Sequence, residues 1–391
     1  MIAGSGVRVI HFATISVMHR AFNLPLARYQ RGRGLQVEFG CGEDMQPGNV
    51  SAVAELQAAG FPVHVVPFPY AIRPLRDAVA LFRLWRFFRG ERFDVVHTYA
   101  SKAGFLVRTA AWLAGVPVVA HTAYVFHFRM FAPGLRRALF VWIERVTSRY
   151  TDALFCVGPV LYGEAVRHRL APADRLQMIG GPVGDVERFE VAPAEAEALR
   201  AELGLAPGTP VVACACRLVS YKGVDTLLRA ARRVLDAVPA ARFVIMGSGL
   251  LEGELQAMAA SLGIKDQVTF TGFRTDGRDV VRLLALATAF CLPTRYDAYP
   301  ISFTEAMAMG CPAVGPRMDA VASIVADGVT GLLVEPEDDA AYAEALVRLL
   351  RDPPLRARLS EAARRRFREQ MDPRPTYQAV TDTYRRLHKP V

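Results

Sequence analysis

The chain has 391 residues, 52% of them hydrophobic and 22% charged, with a formal net charge of +9. That composition excludes a disordered chain and is enough for two ordinary domain cores. The arginine-rich excess of positive charge favours an anionic partner: nucleotide phosphates, a membrane surface or nucleic acid.

The first half of the chain alternates short apolar runs with longer amphipathic ones. "VRVIHF" (Val7 to Phe12), "LQVEFG", "PVHVVPF", "DVVHTY", "PVVAHT" and "ALFCVG" are expected as strands. Continuous apolar strands of this kind belong to a parallel sheet covered on both faces. Helices fall between them, such as "SKAGFLVRTAAWLAG", closed by Gly115 and Pro117. The rhythm restarts with "PVVACAC", "RFVIMG", "QVTFTG", "ATAFCLP", "CPAVGP" and "GLLVEP". Two successive βα runs predict an α/β protein of two doubly wound, Rossmann-like domains facing a cleft. The boundary is expected between Gly180 and Pro210, in a Gly-, Pro- and Ala-rich stretch. This gives an N-terminal domain over 1–185, a C-terminal domain over 186–370, and a final helix over 371–391 packing back on the first domain.

The six cysteines, Cys41, Cys156, Cys214, Cys216, Cys291 and Cys311, lie mostly in apolar runs. They read as reduced core thiols of a cytoplasmic protein, and Cys214 and Cys216 lack zinc-ligand spacing. "MIAGSGVRVIHF" has no basic start before a long apolar run, so no signal peptide is expected. No apolar run reaches the length of about 18 residues that a transmembrane helix needs.

Ligands bind open parallel sheets beyond the carboxyl ends of the strands, so chemistry is sought there. "RLVSYKG" follows "PVVACAC" and offers Arg217 and Lys222, two cations suited to a diphosphate or, equally, to solvent. Gly247 and Gly249 after "RFVIMG" form a lone G-x-G, for which a turn is the default. Phe273 and Arg274 follow "QVTFTG", where a nucleobase would find a ring to lie on. "RYDAYPISFTEAMAMG" places Asp297 in a loop, Pro300 at the start of a helix and Glu305 on its second turn. The free N–H groups of Ile301 and Ser302 then make an anion site beside two hydroxyl acceptors. The plainer alternative is that Asp297 caps the helix and Glu305 faces water.

"RLVSYKG", "IMGSG", "VTFTGF" and "PTRYDAYPISFTEAMAMGCPAVG" resemble the C-terminal domain of the retaining glycosyltransferases of family four, which have the GT-B fold. "HTYASKAGFLVRTAAWLAGVPVVAHTAYVFHF" is similar to the N-terminal domain of bacterial, UDP-sugar-type members. The resemblance covers nearly the whole chain. It implies a first domain that binds the acceptor and a second that binds the nucleotide sugar. It implies that Arg217 and Lys222 bind the donor diphosphate, with help from the backbone at Ile301 and Ser302. Glu305 then matches the acid that holds the ribose, and Asp297 the acid that contacts the donor sugar, with Tyr299, Gly247, Gly249, Phe273 and Arg274 around the donor. It further implies transfer without a covalent enzyme intermediate, a cofactor or a bound metal.

The chain departs from that pattern in four places. Asp297 stands where the family has Glu, shorter by one carbon–carbon bond, about 1.5 Å. Ala298 and Tyr299 replace Gly-Phe. Tyr124 occupies the position of the family's active-site histidine, with His127 three residues on as the substitute or as one member of an aromatic cluster. Tyr99 replaces the second histidine of "HTH", which leaves His97 a structural role. The first loop, "ATISVMHRAF", lacks the family's Gly-Gly turn; His19 and Arg20 are placed on the acceptor side with Lys102, while the plainer reading starts an exposed helix at His19.

"IRPLRDAVALFRLWRFFRGERF" and "FRMFAPGLRRALFVWIERVTSRY" mix arginine with aromatics at helical spacing. An amphipathic helix of this kind rests on anionic lipid or packs its aromatic face on the sheet. No nucleic-acid-binding module is recognised. The leading expectation is a metal-independent hexosyltransferase moving a sugar from a nucleotide diphosphate to a lipid-linked sugar or small aglycone. A nucleotide-sugar 2-epimerase and a non-catalytic sugar-nucleotide binder are the alternatives. A dinucleotide-dependent oxidoreductase is disfavoured, since no G-x-G-x-x-G follows the first strand.

Overall fold

The apolar runs become parallel strands, as continuous burial on both faces requires. The computed structural model describes residues 6–42, 51–68, 72–99, 101–181, 186–274 and 278–388. The chain divides into two units, Met1–Gly184 with Pro373–Val391, and Asp185–Asp372.

The first unit is built on a seven-stranded sheet: β1 (Arg8–Ala13), β2 (Gln36–Cys41), β3 (Val63–Val65), β4 (Val95–Tyr99), β5 (Val118–Ala123), β6 (Ala153–Val157) and β7 (Leu176–Ile179). The strand order is β3-β2-β1-β4-β5-β6-β7. On one face Leu26 and Ala27 of the helix Leu24–Gly32, and Tyr377, Val380 and Tyr384 of the helix Pro373–Leu387, pack on Val9, Val37, Val95 and Phe155. On the other, Ala80, Leu84 and Phe88 of the helix Pro74–Glu91, and Leu106, Val107 and Ala110 of Ser101–Leu113, pack on Ile10, Phe12, Val96 and Val119. β7 corrects the sequence reading, which had six strands here. Its sequence, Leu-Gln-Met-Ile, is only partly buried, with Met178 exposed, and lacks the apolar run by which the others are known.

Among its described residues the second unit has six strands: β8 (Val211–Ala215), β9 (Arg242–Met246), β10 (Val268–Phe270), β11 (Ala289–Cys291), β12 (Ala313–Pro316) and β13 (Gly331–Val334). Their order is β10-β9-β8-β11-β12-β13. The chain builds outward from β8 in one direction and then returns to place β11 on its other side, with Ala289 beside Val212 and Phe290 beside Ala213. The first unit does the same at β1 and β4. Such reversals open a crevice at the carboxyl ends of the two central strands.

His11, His19, His97 and His121 are all buried in the first unit. Burial favours the neutral ring and lowers each pKa, His11 from 6.5 to about 4 and His19 from 6.5 to about 3. The unfolded chain therefore takes up protons below about pH 6.5 that the folded rings refuse. Stability is expected to be full above that pH and to fall progressively toward pH 3. Urea midpoints measured across this range should drop on acidification; a flat profile between pH 6.5 and 4 would contradict the burial of these rings as neutral groups.

Candidate active site

In the second unit the candidate residues come from the loops that follow β8 and β11. After β8, Arg217 is exposed, a 3₁₀ turn runs over Ser220–Lys222, and Gly223 opens the helix Val224–Ala237. Gly223 has φ 68°, and a Cβ there would lie 1.9 Å from the Pro293 carbonyl oxygen after β11. Only glycine permits both the left-handed backbone and that approach. Two further bonds stitch the loops together: Thr294 Oγ1 and the Arg295 N–H donate to the Tyr221 carbonyl, at 3.1 and 2.8 Å. The Arg295 guanidinium binds Asp225 in a fork at 2.7 and 2.8 Å, and also reaches the Ser220 carbonyl and Glu337. Asp225 holds the pKa of Arg295 above the ordinary arginine value.

This clamp brings Lys222 onto Asp297, whose Oδ2 accepts an ion-paired hydrogen bond from Nζ. Asp297 Oδ1 accepts from the N–H of Ala298 at 3.1 Å. Arg217 donates to the Tyr221 hydroxyl. Gly247 and Gly249 lie against the loop that carries Arg217. A Cβ on Gly247 would stand 1.9 Å from the Cys216 carbonyl oxygen, and one on Gly249 2.3 Å from that of Leu218. They thus permit the close backbone packing that sets Arg217 in place.

The helix Ile301–Met309 follows, with Pro300 as its N-cap, one position earlier than the sequence reading placed it. Ile301 and Ser302 are its first two residues, and their N–H groups precede the helix's own ladder. Asp297 makes no cap to this helix, and Glu305 is mostly buried, so the plainer reading of both acids is corrected. Glu305 is ion-paired with Arg188, from the 3₁₀ turn Val186–Phe189. Tyr299 is half-buried, its hydroxyl 3.5 Å from Thr304 Oγ1. Phe273 is exposed beyond β10, whereas Arg274 is engaged by Glu202 at 2.7 Å.

In the first unit the loop after β1 forms a π-helical turn over His19–Asn23. His19 is fully buried, which overturns both its placement on the acceptor side and the exposed helix start. Its Nε2–H donates to the Gly40 carbonyl at 2.8 Å, and its Nδ1 accepts from the Asn23 amide at 3.0 Å. Asn23 Oδ1 in turn accepts from the Tyr124 hydroxyl at 3.0 Å. His19 therefore orients Tyr124 through Asn23. Tyr124 also stacks on Tyr99, at 5.8 Å between centroids, and burial raises its pKa. Tyr99 stacks on His97 and hydrogen-bonds His11 Nδ1 at 2.7 Å. His97 is bonded to Thr122 and Tyr384. His127 lies on a 3₁₀ turn, edge-on to Phe131 and Phe140, and burial lowers its pKa. Arg20 pairs with Glu55 at 3.0 Å and Lys102 with Asp77 at 2.7 Å.

Three contributors escaped the sequence reading. Arg188 had one signal, a single arginine among the acids of "GDVERFE". Arg295 sits in the quoted loop without a motif role, and Asn23 has no signal beyond its place after the first strand.

Comparison with known proteins agrees with this layout. The model of the family "Glycosyl transferases group 1" matches residues 195–366, and that of the "Glycosyl transferase 4-like domain" matches residues 20–182. A D-inositol 3-phosphate glycosyltransferase of Acidothermus cellulolyticus is 33% identical over 325 residues, 77% of this chain and 67% of that one. The UDP-Gal:alpha-D-GlcNAc-diphosphoundecaprenol alpha-1,3-galactosyltransferase of Escherichia coli is 27% identical over 281 residues, 71% of this chain and 72% of that one. Among solved structures, Anabaena Alr3699/HepE in complex with UDP and glucose has a TM-score of 0.82 at 18% identity, covering 97% of this chain and 100% of that one. With both domain models matched in series and the two-sheet fold in common, this chain belongs to the family-four glycosyltransferases of GT-B fold.

Proposed function

We propose that the chain is a retaining hexosyltransferase that takes its sugar from a UDP-sugar and gives it to a lipid-linked sugar. The observation that carries this is the convergence of Arg217, Lys222 and Asp297 beside the start of the Ile301–Met309 helix. In this reading Arg217, Lys222 and the N–H groups of Ile301 and Ser302 bind the donor diphosphate. Glu305 holds the ribose, Asp297 a hydroxyl of the sugar, and Phe273 offers an exposed ring to the base.

As the sugar–phosphate bond lengthens, negative charge grows on the leaving oxygen. Two fixed cations and a helix N-terminus stabilise it there. The acceptor hydroxyl attacks the same face of the sugar, and its proton passes to the departing phosphate. One carbon–oxygen bond breaks, one forms, and UDP leaves. The cations supply the charge, so no resident metal enters the reading. The N-terminal unit binds the acceptor, and Tyr124, its own proton donated to Asn23, is oriented to accept a hydrogen bond from it. The acceptor class is supported by the Escherichia coli relative, whose name gives a UDP-sugar donor and a diphosphoundecaprenol-linked acceptor. The six cysteines stand as thiols, which supports work on the cytoplasmic side of a membrane.

A thermal-shift panel of nucleotide sugars tests the donor: UDP and one UDP-sugar should raise the melting temperature, and GDP should not. Proton NMR of the product should show the donor's anomeric configuration, and inversion would end the retaining assignment. Two substitutions separate the acids. Glu305→Ala should weaken UDP binding about 10- to 100-fold, from the loss of one charge-assisted hydrogen bond. Asp297→Asn should leave UDP affinity equal or tighter, because Lys222 is released, while kcat falls about 10-fold or more. If calorimetry gave both variants wild-type affinity and assays gave wild-type rates, the site would lie elsewhere. Gly223→Ala should store about 1–3 kcal/mol of strain and lower both the melting temperature and kcat, by displacing Lys222.

A further inference from the structure

The three neighbouring helices Pro74–Glu91, Ser101–Leu113 and Leu135–Arg149 bury one face each and leave an apolar stripe on the other. On the first, Leu75, Val79 and Phe82 are exposed, and their spacing of four and three puts them on one line. Phe105 and Trp112, seven apart, repeat that line on the second helix. Leu135, Leu139 and Trp142 repeat it on the third, with Leu75 87% and Leu135 92% exposed. Single exposed apolar residues are ordinary, but aligned stripes on adjacent helices mark a surface that something covers.

The charges say what covers it. Asp77 of the first helix is ion-paired at 2.7 Å with Lys102 of the middle one, and Glu144 of the third at 2.6 Å with Arg108 of the middle one. Glu91 is taken by Arg8. The acids are thus neutralised within the unit. Among the described residues of these helices, every exposed charged side chain is an arginine: Arg76, Arg83, Arg86 and Arg89 on the first, and Arg136, Arg145 and Arg149 on the third. A protein partner of mixed charge would not require that one-sidedness, and nucleic acid would have no use for the leucines. Apolar side chains that enter the acyl boundary beside arginines that reach phosphates fit one occupant, an anionic lipid bilayer.

We infer that these three helices form the face by which the protein lies on an anionic membrane. The inference deepens the transferase reading, on which it rests only for the need to reach a lipid-linked acceptor.

The test is co-sedimentation of the full chain with phosphatidylglycerol-containing vesicles and with vesicles of phosphatidylcholine alone, with no donor present. The wild type should pellet with the first and stay in solution with the second, and added salt should release it. Arg76→Gln, Arg83→Gln and Arg86→Gln together should lower partition roughly a hundredfold, as expected for three basic groups at the lipid surface. Leu75→Gln, Phe82→Gln and Trp142→Gln together should abolish it with the melting temperature unchanged, since all three are exposed. Three outcomes would overturn the inference: no partition of the folded wild type at low salt, equal partition to neutral vesicles, or partition unaffected by both triple variants. Self-association without vesicle binding, seen by ultracentrifugation and dispersed by the apolar variant, would assign the face to a second copy instead. Because no step measures transfer, failure of this surface and failure of the proposed chemistry are separate results.

Discussion

The arrangement of the second unit's candidate residues depends on one close approach, the backbone of Gly223 against the carbonyl of Pro293. β8 and β11 are far apart in sequence and adjacent in the sheet, so the loops that leave them start side by side. Adjacency alone leaves two mobile loops. Without a Cβ at position 223 the chains touch, and the bonds from Thr294 and Arg295 to the Tyr221 carbonyl follow. Arg295 then spends its fork on Asp225 and Glu337, which removes a cation from the candidate site and makes it a clamp. Lys222 and Asp297 meet as a consequence, each fixed by its own loop.

The two acids are both held by cations before any donor arrives, Asp297 by Lys222 and Glu305 by Arg188. This arrangement suits the proposed reaction energetically. Partly buried carboxylates left without partners would raise the cost of the empty site. A donor diphosphate offers Lys222 a replacement anion, so binding exchanges one ion pair for another and frees Asp297 for a hydroxyl. The short side chain of Asp297 fits this exchange. Its carboxylate stays near the loop, within reach of the lysine and the Ala298 N–H.

Twelve strands were legible because each stands in the sequence as a short run of β-branched and apolar residues, the edge strands β3, β10 and β13 included. β7 was illegible because its four residues, Leu176 to Ile179, include a glutamine and an exposed methionine and make no such run. Arg217, Lys222, Asp297 and Glu305 were legible as candidates because they lie just after strands or on the helix that follows, where doubly wound sheets present ligand groups. Their partners were not. Arg188 lies 117 positions from Glu305 and Arg295 70 from Asp225, and nothing in local sequence pairs residues across such distances. His19 misled for a related reason. A polar residue after a strand reads as exposed, but the π-helical turn rotates it inward, where the Gly40 carbonyl and Asn23 supply what water would.

That inward turn also sets the surroundings of Tyr124, which the resemblance places where the family has a histidine. A histidine at position 124 would bring a group able to carry charge near neutral pH. Tyr124 is kept neutral by burial, and its hydroxyl is aimed by a chain of bonds that ends on a backbone carbonyl. Tyr99, in the other substituted position, stacks on it and ties the pair to His11 and His97. The two changes are therefore one change. The two phenols stack on each other, and the buried histidines behind them provide hydrogen bonds without charge. In the proposed reaction the N-terminal unit then contributes orientation alone, and the cationic work falls on Arg217 and Lys222.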